Sequence, residues 1–176
     1  MNIVILTIDR IKPDMLSDFY YNQLITKQWI WNDLQWRITD TSVMRQWSME
    51  KRKWIPQYLQ QQIERGGTVV AAIVSDTIIG FGSIDGCLLG KTAKYANLTM
   101  LFVDDRWKRK GVGKKLFCEL CKYAKGMMAD KLFISAIPAV ETIAFYNSMG
   151  CEDTMEIITE FVDTEQDRYL EFLLGK

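Results

Sequence analysis

The spacing of apolar positions changes several times along the chain, and each change marks an element. "NIVILTI" (Asn2 to Ile8) is an apolar run of strand length. From there to Gly67 the pattern reads as mostly helical. Within "TSVMRQWSMEKRKWIPQYLQQQIERGG" the positions Val43, Met44, Trp47, Trp54, Ile55, Tyr58, Leu59 and Ile63 recur at helical spacing. Pro56 should kink or restart that helix, and Gly66-Gly67 should end it. "TVVAAIVSD" and "TIIGFGSIDG" read as two strands around a tight turn at Ser75-Asp76. "CLLGKTAKY" then reads as a loop and "ANLTMLFVD" as a fourth strand. An amphipathic helix (about Gly111 to Met127), a fifth strand "KLFISAIP" and a short helix "AVETIAFYNSMG" follow, the last closed by Gly150. "CEDTMEIITEFV" and "RYLEFLLG" complete the sheet as an antiparallel pair.

This order predicts a single α/β (α+β) domain over residues 1–176, with a mixed, mostly antiparallel sheet of about seven strands flanked by helices. The strand–helix–strand piece from Ala96 to Ile137 brings parallel pairing into that sheet. Residues 1–67 form an N-terminal strand and a helical arm. Five of the six tryptophans fall in that arm: Trp29, Trp31, Trp36, Trp47 and Trp54. Helical spacing places most of them in the core. Trp29 and Trp31, two apart, do not share a helical face and become candidates for lining a pocket.

Charge and composition narrow the function. The 22 basic and 22 acidic residues cancel, which argues against nucleic acid as the partner. No apolar run approaches the ~20 residues that span a bilayer. The N-terminus lacks the basic stretch and cleavage site of a secretory leader, so a cytoplasmic location is expected. Histidine is absent, which excludes every mechanism with a histidine base and removes the commonest zinc ligand. Cys118 and Cys121 form a Cys-x-x-Cys, but one well inside a helical pattern, away from the helix start where a thiolate is stabilised. With Cys87 and Cys151 distant in sequence, no metal is expected, and the cysteines read as small packing residues.

The strongest chemical signal is "FVDDRWKRKGVGKKLFCELCKYA" (Phe102 to Ala124). A strand ends, basic residues cluster, two glycines follow and a helix begins. Such a junction aims backbone N–H groups and the positive helix end at one point, an anion site. Gly111 and Gly113 admit a phosphate close to the backbone, and Arg106, Lys108, Arg109, Lys110, Lys114 and Lys115 add charge. The spacing is not G-x-x-x-x-G-K-[ST], so ATP and GTP are disfavoured. Residue 116 is Leu, so the dinucleotide pattern G-x-G-x-x-G fails as well. The remaining candidates are a nucleotide-like cofactor held by its pyrophosphate, as coenzyme A would supply, and a plain solvated basic turn.

"LFVDDRWKRKGVGKKL" resembles the acyl-CoA-binding signature of the GNAT superfamily of N-acyltransferases, in which a strand end is followed by Arg/Gln-x-x-Gly-x-Gly/Ala. Lys108 stands at the Arg/Gln position, ahead of Arg109-Lys110-Gly111-Val112-Gly113. "AFYNSMGC" (Ala144 to Cys151) is similar to the second signature, an aromatic-Tyr helix end before a Gly and the next strand. The resemblance covers the whole chain and is strongest from Leu98 to Cys151, making 96–150 the acyl-CoA-binding core.

It implies a splayed fourth and fifth strand holding the pantetheine arm of acetyl-CoA, along the backbone of Leu101, Phe102 and Val103. Lys108 and the amides from Arg109 through Lys114 (Lys110, Gly111, Val112 and Gly113 between them) would hold the pyrophosphate. Tyr146 would be the general acid toward the CoA sulfur, and an amine would attack the thioester directly. Two departures stand out. Members often carry a fourth-strand glutamate as base, where this chain has Asn97 and Thr99. They also often have an asparagine seven residues before the tyrosine, where this chain has Ala139. Asp85 is the nearest plausible carboxylate by topology, with Glu141, Glu152, Asp153 or a water chain as alternatives. Glu160, Asp163 and Glu165 are placed to attract a cationic acceptor. The acceptor is expected to be a small-molecule or peptide amine, and an exposed sheet edge allows a homodimer. Without the strand glutamate, a non-catalytic acyl-CoA sensor is the competing class.

Overall fold

The computed structural model describes residues 1–175. Its elements are β1 (Asn2–Ile5), β2 (Asn22–Asn32), β3 (Gln35–Gln46), α1 (Met49–Glu64), β4 (Thr68–Val74), β5 (Thr77–Leu89), β6 (Tyr95–Val103), α2 (Val112–Gly126), β7 (Lys131–Ala136), α3 (Val140–Ser148), β8 (Glu152–Asp153) and β9 (Arg168–Leu173). Seven strands form one sheet in the order β1-β4-β5-β6-β7-β9-β8. Among the described residues only β6–β7 is parallel; every other pair in this sheet is antiparallel.

The strand with the least polar sequence lies inside. In β4, Val70 and Ala72 face one core while Val69 and Ala71 face another, so an unbroken apolar run serves two layers. The turn at Ser75-Asp76 carries φ of 45° and 62°, the mirror-type hairpin turn whose twist suits its strands. On one face α2 buries Val112, Leu116, Phe117, Leu120 and Ala124 at helical spacing. It lies close to β5 because β5 offers glycine there. A Cβ on Gly82 would stand 2.7 Å from Leu120 Cδ1 and 2.9 Å from Met100 O. Gly82→Ala is therefore expected to destabilise the fold by about 1–3 kcal/mol through overpacking, read as a lower denaturant midpoint with an unchanged slope.

The N-terminal arm differs from its sequence reading. Residues 22–46 form an antiparallel two-stranded ribbon separate from the main sheet, and α1 begins only at Met49. Val43 and Met44 belong to β3, opposite Ile25 and Leu24. The two-residue spacing of Trp29 and Trp31 is that of a strand, and Asp33-Leu34 (φ 49° and 61°) supplies a hairpin turn without glycine. Ser48 starts α1, its side chain accepting from the Lys51 N–H at 3.2 Å. Pro56 lies within α1 without ending it. Near the C-terminus the expected sixth strand shrinks to β8. The rest is loop, with a 3-10 turn at Thr159–Phe161 that seats Ile158 and Phe161 against Tyr95 and Phe133. β5 runs on to Leu89, so Asp85 lies inside that strand and the following loop covers only 90–94.

Candidate active site

The sheet opens between β6 and β7. Their parallel register covers Tyr95↔Lys131, Ala96↔Leu132 and Asn97↔Phe133, and goes no further. Beyond it β7 pairs only with β9, through Ala136↔Arg168, while β6 continues beside β5 to Gly80↔Val103. The edge of β6 from Leu98 to Val103 therefore faces a wedge and not a strand. A bulge accentuates the parting: Ser83 pairs with Met100 and Ile84 with Leu98, leaving Thr99 as the extra residue. Leu101 and Val103 lean toward the α2 core and Phe102 toward the α1 core, all three half-buried.

The basic loop closes the wide end of that wedge. Arg109 (φ 58°) and Gly111 (φ 78°) both adopt left-handed backbone, and Gly111 is the N-cap of α2 without a capping side chain. The result is a concavity of successive N–H groups at a helix start. Among the described residues, the amides from Arg109 through Lys114 donate to no group of the chain, whereas the Lys115 N–H returns to Gly111 O at 3.1 Å. A Cβ at Gly111 would meet nothing within 4 Å, so the approach is open. At Gly113 a Cβ would stand 3.2 Å from Phe145 Cε2. The two sequence signatures thus touch at this point.

Not all of the basic residues serve the concavity. Arg106 turns back onto Asp104, with Nε to Oδ1 at 2.9 Å and Nη2 to Oδ2 at 2.6 Å. Lys108 pairs with Asp105. Those carboxylates also accept from the Tyr20 N–H (2.8 Å) and the Asn22 N–H (2.6 Å), which ties the start of β2 to the loop. Arg109, Lys110, Lys114 and Lys115 form no ion pair among the described residues. Lys110 lies over the Trp107 ring at 4.7 Å.

Tyr146 projects from α3 into the core beside α2, 6.2 Å from the Phe117 ring and 5.2 Å from Phe145. It is 8% exposed, and its hydroxyl makes no hydrogen bond to another group among the described residues. Burial pushes the phenol well above its ordinary pKa. Asp85 sits in a wide irregularity of β5, where its carboxylate accepts from the Cys87 N–H at 3.1 Å. Asn97 is buried and Thr99 Oγ1 lies 2.6 Å from Ser83 Oγ.

Three comparisons with known proteins bear on this geometry. The acetyltransferase (GNAT) family model matches residues 26–151, most of the chain. The protein belongs to the GNAT acetyltransferase family. No curated protein matches its sequence. Among solved structures, nourseothricin acetyltransferase superposes with a TM-score of 0.71 at 11% identity, covering 99% of this chain and 98% of that one. A Bacillus anthracis str. Ames protein, provisionally named streptothricin acetyltransferase and solved with acetyl coenzyme A, gives 0.68 at 16% identity and 98% of both chains. An aminoglycoside 6'-N-acetyltransferase complexed with coenzyme A gives 0.62 at 11% identity, over 100% of this chain and 98% of that one.

In this GNAT chain the side of the wedge facing α1 collects residues from four segments. Tyr58 of α1 approaches Thr99 and is influenced by Asp85 and Asp163. Lys51 lies over Trp54 at 3.7 Å, and Trp54 stacks on Tyr58 at 4.9 Å. Of the acidic residues expected near the acceptor, Asp163 faces this group, while Glu160 accepts from the Thr159 hydroxyl at 3.1 Å. Asp167, which the sequence reading passed over, is 9% exposed and accepts from Ser135 Oγ at 2.8 Å. Trp29 and Trp31 do not line this region: Trp29 packs on Arg168, as does Trp36, and Trp31 packs on Trp36. Burial pushes the Cys121 and Cys151 thiols up to about 12, as packing residues. Among the described residues no cluster able to hold a metal ion forms, and no helix is long and apolar enough to cross a membrane.

Proposed function

We propose that this GNAT protein transfers an acetyl group from acetyl-CoA to a primary amine by direct attack in a ternary complex. The observation that carries the reading is the alignment of the β6–β7 wedge with the run of unpartnered amides from Arg109 to Lys114. A wedge with a free strand edge suits an extended amide-bearing arm, which adds to β6 as a strand would. The concavity suits a pyrophosphate. Leu101, Phe102 and Val103 supply the edge. Arg109, Lys110, Gly111, Val112, Gly113 and Lys114 supply the anion site. Lys108, held by Asp105, orders the loop and adds positive charge beside it.

Tyr146 is the proton donor to the departing sulfur. Burial raises the phenol pKa and so favours the protonated hydroxyl. A backbone N–H of β6 near Phe102 steadies the carbonyl oxygen as charge develops on it. The amine's proton passes to a carboxylate on the α1 side of the wedge, where Asp85 of β5 and Asp163 both stand near Tyr58. The full-length likeness to enzymes named for nourseothricin, streptothricin and aminoglycosides supports a small amine-bearing acceptor.

Thermal unfolding in parallel with acetyl-CoA, CoA, ATP and NAD tests the donor. A ligand that binds only the folded state raises the midpoint, by about 2.7 kcal/mol at one hundred times its Kd. Both CoA species should raise the midpoint, and ATP and NAD much less. No shift with millimolar acetyl-CoA or CoA would remove the proposed donor site.

A further inference from the structure

The two lips of the wedge carry different chemistry. Extending the parallel register by two residues beyond Asn97↔Phe133 sets Thr99 opposite Ser135 across the gap. Both lie on the face of the sheet that α1 covers: Thr99 meets Ser83, in step with Phe81 of the α1 core, and Ser135 is in step with Phe133, opposite the α2 core. On the β6 lip stand Thr99 and the Tyr58 hydroxyl. On the β7 lip, Ser135 Oγ accepts from the Asp163 N–H at 3.1 Å and donates to the Asp167 carboxylate at 2.8 Å. Buried Asp167 thus anchors Ser135, and Ser135 anchors the backbone of Asp163. The Asp163 carboxylate itself is open to solvent and is bonded to no group among the described residues.

We propose that Asp163 is the proton acceptor for the attacking amine, and that the acceptor enters as a cationic ammonium between Asp163 and Tyr58. This rests on the acetyl-transfer reading above. Asp163 takes one proton from R–NH3+. The neutral amine then attacks the thioester carbon, so that a C–N bond forms and the C–S bond breaks. The sulfur leaves with the proton of Tyr146, and the nitrogen's surplus proton re-protonates that phenol by way of solvent. The balance is one amide, one CoA thiol and one proton released from Asp163.

The surroundings suit that role. Lys51 and Tyr58 come from α1, Arg45 from β3 beside Lys51, Asp85 from β5 and Asp167 from the same loop. The protein around the cleft partly desolvates the exposed Asp163 carboxyl and, with the negative charge of Asp167, raises it above its ordinary range, against the opposing pull of Lys51. A carboxylate so raised is a better proton acceptor. Asp85, by contrast, already accepts from the Cys87 N–H.

The test compares the wild-type protein with Asp163→Asn, Asp163→Glu and Asp85→Asn, using kanamycin, streptothricin and spermidine as acceptors and mass-spectrometric detection of product. D163N should lower kcat/KM about 100-fold and abolish the acid limb of the pH profile. It should leave the midpoint shift with acetyl-CoA intact. D163E should restore part of the rate. Retention of more than a third of wild-type kcat/KM by D163N, an unchanged acid limb, or a large loss in D85N alone overturns the assignment. Loss of the acetyl-CoA shift in D163N overturns it too, because the residue would then be structural. A wild-type protein that shows neither the acetyl-CoA shift nor product with any acceptor overturns the acetyl-transfer reading itself, and this inference with it.

Discussion

Tyr146→Phe is expected to lower kcat for acetyl transfer about 100-fold while leaving the KM for acetyl-CoA and the unfolding midpoint nearly unchanged. The separation follows from the surroundings of the hydroxyl. It makes no hydrogen bond among the described residues, so its removal orphans no partner. The ring stays, and with it the edge contacts to Phe117 and Phe145. Phe is thus close to an isostere in packing, and stability should move by less than about 0.5 kcal/mol. What disappears is a single proton, needed only as the sulfur leaves, and an interaction confined to that stage appears in kcat. Steady-state kinetics with a thiol-reactive reporter of CoA release measures it. A fall of less than threefold in kcat would show that Tyr146 is a core aromatic and that the thiolate leaves unassisted.

Asp104→Ala should produce the largest loss of stability among single changes near the site, about 2–3 kcal/mol. The carboxylate is 1% exposed and accepts four hydrogen bonds: from the Tyr20 N–H, the Arg106 N–H, Arg106 Nε and Arg106 Nη2. Truncation leaves the two amides without their partner. The Arg106 side chain is 58% exposed, so its guanidinium returns to water at small cost and the full penalty of an orphaned buried charge does not apply. For a chain of this size the midpoint should fall by about 5–10 °C. The loop that begins at Asp104 also carries the anion site, so the acetyl-CoA shift should shrink along with stability.

Acid makes the same point. Burial alone would raise the Asp104 carboxyl, but the Arg106 side chain and the amides of Tyr20 and Arg106 outweigh it and hold the pKa below its ordinary value. A lowered folded-state pKa contributes stability above the unfolded value of ~3.9, and that contribution is lost as pH falls through the folded one. The wild-type protein should therefore lose stability more steeply than D104A below about pH 4, as chemical denaturation at pH 7 and pH 3 will show.

Local signals sufficed for most of the sheet, for the basic loop and for α3, although β5 outran its reading and the sixth strand shrank to β8. A short, β-branched-rich apolar run bounded by glycine and a turn suits a buried strand, so "TVVAAIV" was legible without its neighbours. The anion site was legible because its parts are consecutive: a strand end, a left-handed glycine and a helix start act through the backbone between Asp104 and Lys115. Tyr146 lies four residues ahead of Gly150, within one helix end, so its place in α3 was equally plain.

The sequence by itself could not place what depends on distant partners. Helical spacing at Val43 and Met44 was coincidental, because those residues sit on a ribbon stabilised by contacts far away in the chain, while Trp47 lies in the link to α1 and packs on Phe19, Tyr21 and Phe102. The Trp29 N–H donates to Pro138 O at 2.7 Å, and Arg168 lies between the rings of Trp29 and Trp36. A two-stranded ribbon is marginal alone, so nothing within residues 22–46 could announce it. Likewise, six basic residues near the glycines looked equivalent until Asp104 and Asp105 claimed Arg106 and Lys108. Asp163 looked no different from Glu160 and Glu165 until Ser135 fixed its backbone at the lip of the wedge. Backbone chemistry of neighbouring residues determined most of the strands and helices and the amide concavity before α2. Hydrogen bonds spanning from 28 to 84 residues, between Ser135 and Asp163 and between Tyr20 and Asp104, decided which charges are left to act.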